Sequence, residues 1–143
     1  MQITEPVTML TDYALGAVSL YFAIAFSRSI GPKNRTCGRF WLTGFAAQSA
    51  AAFAGGTYHG FAAMFPPSTL LSLWNLTVLS IGAGGAFMIA GVMASSIKKP
   101  DESRRWLWAG LCLTLVGFAV QQTGLRHGAG FNHNDAFVFG DGF

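Results

Sequence analysis

The three histidines of this 143-residue chain, His59, His127 and His133, and two of its aspartates, Asp12 and Asp135, are of the types that bind metal or move protons. Imidazole and carboxylate groups together hold zinc or another divalent ion, and zinc lowers the pKa of a bound water until it becomes a nucleophile. The spacing belongs to no standard zinc signature: there is no HExxH and no pair of histidines four residues apart. His59 alone, inside an apolar segment, would also serve as axial ligand to a haem or a chlorophyll. The competing reading is structural. Asp12, His59 and Asn75 would hydrogen-bond across helices and fix their register, while His127 and His133 lie in a solvated tail. Cys37 and Cys112 form no CxxC pair and read as two free thiols.

The elements that must position these residues are four apolar segments, at about 7–30, 40–61, 69–97 and 106–125. Each is close to the roughly 20 residues that cross about 30 Å of hydrocarbon. Pro6 suits a first helical turn, Gly31-Pro32 ends the first segment, and Phe65-Pro66-Pro67 closes the exit of the second. The six residues up to Pro6 carry no Lys or Arg, so the first segment reads as a retained span rather than a cleaved signal. Beyond Leu125 the composition turns to Gly, His, Asn and Asp. The expected fold is a single all-α membrane domain over residues 1–143: a four-transmembrane-helix bundle followed by a polar tail.

Composition and charge support and orient that fold. Only 10% of the residues are charged, against about 25% in soluble domains. Hydrophobic residues make up 52% and aromatic residues 14%. Eight of the nine basic residues fall in two stretches: Arg28, Lys33, Arg35 and Arg39, then Lys98, Lys99, Arg104 and Arg105. Both stretches join consecutive segments, which marks cytoplasmic loops at 28–39 and 98–105. The same placement beside apolar spans argues against nucleic acid as a partner, despite the net charge of +3. Both termini then face outward, and the setting is an integral protein of a bacterial inner membrane. His59 lies twenty residues beyond Arg39, roughly 30 Å along a helix. Asp12, His59, Asn75, Gln121, Gln122, His127, His133 and Asp135 are thereby expected at the outer end.

Small residues recur at helical spacing. Ala47, Ala51, Gly55 and His59 share one face of the second segment; Ala86, Ala90 and Ala94 share one on the third, beside Ser80 and Gly84. Such faces let helices approach closely in lipid. The sharper alternative is a cofactor lying against Gly82, Gly84 and Gly85.

The stretches Gly55-Gly56-Thr57-Tyr58-His59-Gly60-Phe61 and Phe131-Asn132-His133-Asn134-Asp135 resemble the membrane hydrolase superfamily of alkaline ceramidases, Per1-like proteins and adiponectin-type receptors. The resemblance implies a zinc held by histidines, activating water against an amide in a lipid. His59 matches the first histidine of that pattern. Gly55 stands where the family has a serine, the third segment has no Asp or Glu, and Phe137 stands where a second late histidine is expected. The superfamily has seven spans, against four here.

Two functions follow. The first is a small non-catalytic integral membrane subunit that packs into and stabilises a larger membrane complex, respiratory or photosynthetic for example, with the bilayer and other membrane subunits as partners. The second is a zinc-dependent membrane hydrolase-like or metal-binding protein with an outer-face His/Asp site. A transporter is disfavoured, because no charged residue falls near the centre of a span.

Overall fold

The computed structural model describes residues 3–96 and 100–122. Four helices follow one another: α1 (Pro6–Ser29), α2 (Arg35–Phe61), α3 (Pro67–Ser96) and α4 (Pro100–Gln122). A single 3-10 turn, Ala62–Met64, links α2 to the Pro66-Pro67 stop before α3. Pro6 and Pro67 each open a helix, where the missing N–H costs no hydrogen bond. Two of the helices, α1 and α3, are long and apolar enough to cross a membrane, by length and composition.

The basic stretches differ in one respect from the expected loops. Arg28 lies on the last turn of α1, Arg35 and Arg39 on the first turns of α2, and Arg104 and Arg105 on α4. Helix therefore runs past the apolar segments into the basic flanks. The reason is local: Gly31-Pro32 breaks the chain, but nothing between Arg35 and Phe40 does. The break is a tight turn held by Asn34. Its Oδ1 accepts from the Gly31 N–H at 2.7 Å and its Nδ2 donates to the Ser29 carbonyl at 3.2 Å. At the start of α4, Asp101 and Glu102 complement the helix dipole.

The helices pack in chain order: α1 on α2, α2 on α3, α3 on α4, with α2 and α3 in the middle. Among the described residues the buried hydrophobic side chains are all alanine: Ala23, Ala51, Ala52, Ala54, Ala86 and Ala90. Buried with them are Gly16, Gly38, Gly44, Gly55, Gly56, Gly60, Gly84, Gly91, Ser19, Ser49, Thr77 and Ser103. Large apolar side chains lie outside, including Val7, Leu10, Leu15 and Val18 on α1 and Leu113, Leu115 and Val116 on α4. Two close approaches show what the small residues allow. A side chain starting at Gly44 would meet the Gly84 carbonyl oxygen of α3 at 3.3 Å, and one at Gly110 would meet the Ala86 backbone at 3.1 Å. At the basic end rings fill the α1–α2 seam: Phe26 stacks on Trp41 and Phe45, and Phe22 packs on Phe45.

Candidate functional site

His59 stands in the last turn of α2, where helix carbonyls lack intrahelical partners. The segment entering α1 supplies them. The Thr4 N–H donates to the Gly60 carbonyl and the Glu5 N–H to the His59 carbonyl, each at 3.2 Å. This clamp fixes Glu5 across the end of α2 and brings its Oε2 to 3.1 Å from His59 Nδ1. Both side chains remain about a quarter exposed, at 26% and 30%. With the proton on Nδ1 donated to Glu5, Nε2 is left as the acceptor and potential ligand atom. The rings of His59 and Tyr58 meet at 85° with centroids 5.3 Å apart, and Tyr58 packs on Trp74 of α3.

Asp12 lies one turn deeper. It is half-buried on α1, over Gly55 and Gly56 of α2. The point where a Gly55 side chain would begin is 3.3 Å from Asp12 Oδ2 and 3.8 Å from Thr77 Oγ1. Gly55 thus lets three helices meet at one spot. The neighbouring hydroxyls have settled directions. Thr77 donates to the Leu73 carbonyl and Thr57 to the Phe53 carbonyl. The Thr57 proton being committed, the Tyr13 hydroxyl donates to Thr57 Oγ1 at 3.0 Å. Deeper still, Ser49 Oγ is buried and donates to the Gly16 carbonyl at 2.9 Å.

Of the sequence candidates, Asp12 and His59 come to the same end of the α1–α2 pair. Asn75 does meet the end of α4, since Gln122 Nε2 donates to its Oδ1 at 2.9 Å. His127, His133 and Asp135 lie outside the described residues. Among the described residues no group of three or more His, Cys, Asp or Glu side chains is arranged to hold a metal ion. The glycines read as a cofactor face are mostly covered. Gly82 faces Thr114 of α4 and Gly84 faces Gln48 of α2; only Gly85 borders open space. Cys37 and Cys112 are free thiols. The residue that sequence reasoning does not reach is Glu5. It precedes the first span, in a leader whose evident property is its lack of Lys and Arg. The signal that could find it is its position, immediately before Pro6 at the end where His59 must fall.

Residues 7–101, about two thirds of the chain, match a family of unknown function (DUF6962). The matched stretch contains α1, α2 and α3 with Asp12 and His59. No curated protein and no solved structure matches the chain.

Proposed function

The chain belongs to the DUF6962 family, and from that premise we propose that it is a small, non-catalytic integral membrane protein whose four helices span the bilayer within a larger membrane complex. One observation carries the reading: the fold is packed inside out relative to a water-soluble domain. Its buried residues are mostly alanine, glycine and serine, and many of its large apolar side chains face outward, Leu10, Leu71, Leu113, Val116, Trp106 and Trp108 among them. Water would penalise that surface heavily, at roughly 25 cal/mol per Å² of apolar area. Lipid imposes no such cost, and in lipid the helices associate through small residues and short hydrogen bonds. The place in a complex is supported by the serial packing. α1 and α4 each have one extensive neighbour, which leaves broad apolar faces for lipid and for other subunits. In this reading the start of α1 and the end of α4 face outward and the basic helix ends face the cytoplasm, in the inner membrane of a bacterium.

The test is extraction followed by sizing. The protein should stay in the membrane through alkaline carbonate washing. In mild detergent it should migrate far above its 15.2 kDa mass with other polypeptides in fixed ratio. A lone monomer after gentle extraction overturns the subunit role.

A second reading, a metal site at the outer end, is favoured by the Glu5–His59 pair. A carboxylate holding one imidazole nitrogen is the usual outer-shell partner of a metal-bound histidine. In that reading Glu5 orients His59, whose Nε2 binds zinc or a tetrapyrrole metal. Stoichiometric metal or a visible absorption band in the purified chain, lost in His59→Ala, supports it. Their absence removes it.

A further inference from the structure

We propose that Arg126, four residues beyond the end of α4, pairs with Asp12 of α1 and ties the last part of the chain to the outer end of the bundle. The pair rests on the membrane reading above, in which a lone carboxylate on an apolar helix is costly and calls for a partner. Asp12 is the one acid on α1, with Met9 and Leu10 before it and Ala14 and Leu15 after it. The hydroxyl protons around it are committed elsewhere. Thr77 donates to the Leu73 carbonyl, Thr57 to the Phe53 carbonyl and Tyr13 to Thr57. His59, one turn further out, meets Glu5 instead. Among the described residues the Asp12 carboxylate has neither a hydrogen bond nor an ion pair. The described outer end holds two carboxylates, Glu5 and Asp12, and no Lys or Arg.

The sequence supplies one base at that end. Eight of the nine Lys and Arg residues belong to the two basic stretches, and Arg126 is the ninth. It stands on the side that the charge rule leaves poor in Lys and Arg. Two exceptions of opposite sign thus fall at the same end, and each accounts for the other. The geometry puts them within reach. Gly110 packs on Ala86 and Gly82 on Thr114, an antiparallel register that continues to Gln122 against Asn75. Asn75 is two residues from Thr77, roughly 3 Å along α3. Thr77 in turn shares the Gly55 contact with Asp12. Gln122 therefore lies close to the depth of Asp12, with α3 between α4 and the α1–α2 pair. The width of that helix is about 10–12 Å. Four extended residues span at most about 14 Å, and the Arg126 side chain adds its own length. A guanidinium has five N–H donors and can meet both oxygens of a carboxylate, which is what Asp12 lacks.

The experiment is limited proteolysis of the full chain in mild detergent. Chymotrypsin suits it, because Phe131, Phe137 and Phe139 all follow Arg126 and no variant alters them. Release of the tail is followed by mass spectrometry. D12N and R126Q should each speed release about tenfold, the scale of a coupled pair read through its opening equilibrium. D12N/R126Q should be no faster than the faster single variant, and R126K should keep most of the protection. R126Q changes no residue of the four helices, so its effect is not a failure to fold. Release from D12N at the wild-type rate overturns the pair, and so do effects that multiply in the double variant. Faster release in D12N with none in R126Q also overturns it, since Asp12 would then serve another cation, a metal ion or a base of a partner subunit. Loss of the protein from membranes on carbonate washing would overturn the membrane reading, while tail release still decides the pair.

Discussion

At the residue scale, the glycines divide into those that set the distance between helices and those that set nothing. Gly110 of α4 faces the Ala86 methyl group at 2.7 Å and its backbone Cα at 3.1 Å from where a side chain would begin. Neither neighbour can swing aside, so Gly110→Ala must part α3 from α4 and should cost about 1–3 kcal/mol. Gly117 lies seven residues further along the same helix with nothing within 4 Å. Gly117→Ala should be neutral or stabilising, by up to about 1 kcal/mol, because alanine is the better helix former. Unfolding of the two variants in mixed micelles by titrated SDS checks the contrast; equal effects would mean that α4 does not pack on Ala86. A polar counterpart sits between α1 and α2. Ser49 donates its buried hydroxyl proton to the Gly16 carbonyl. Ser49→Ala should cost about 0.6 kcal/mol, the usual worth of a hydrogen bond between helices in lipid. The same assay should therefore place it below Gly110→Ala.

At the element scale, α2 and α3 hold the fold together, because each packs extensively on two neighbours while α1 and α4 pack on one. Ala90 of α3 is fully buried, whereas Ile89 beside it is 50% exposed. Ala90→Leu should destabilise by about 1–3 kcal/mol through overpacking, and Ile89→Leu should be close to neutral. Micellar unfolding midpoints decide this, and insensitivity at position 90 would count against the close packing of α3 there. The small-residue stripes make much of the buried interior legible in the amino-acid sequence. Ala51, Gly55, Ala86 and Ala90 are all buried where helical spacing puts them. Prolines at 6, 32, 66 and 67 set the breaks. Apolar content alone does not place the starts of α2 and α4, because a helix does not end where its hydrophobicity does. Arg35, Arg39, Arg104 and Arg105 continue it. The Glu5–His59 contact is hidden for a related reason. It depends on a backbone clamp between Thr4-Glu5 and His59-Gly60, and no periodicity reports a clamp. The apparent cofactor face at Gly82 and Gly84 is misleading, since glycine marks a close approach without saying whether a side chain or a ligand makes it. Here Thr114 and Gln48 do.

At the scale of the whole molecule, the decisive property is that the two ends differ. One end holds Glu5, His59, Tyr58 and Trp74, with the Phe61–Pro67 connection and no basic side chain other than His59 among the described residues. The other holds Arg28, Lys33, Arg35 and Arg39 around the Asn34 turn. Two contacts prove that α1 and α2 run antiparallel between these ends: Glu5 meets His59 at the first, and Phe26 stacks on Trp41 at the second. If α1 and α2 each cross the bilayer, the connections at Lys33 and at Ala63 must lie on opposite sides of it. Positive charge is retained on the cytoplasmic side, so the Lys33 turn should be inside and the Ala63 turn outside. Both residues are exposed, so single cysteines can report on them. In a chain with Cys37 and Cys112 replaced by serine, Ala63→Cys should react with a membrane-impermeant maleimide in intact cells. Lys33→Cys should react only after permeabilisation. The reverse pattern would invert the topology, and the charge rule with it. Labelling of both positions from the same side would show that α2 does not cross. In that event the alanine-rich seam between α2 and its neighbours would have to be stable in water.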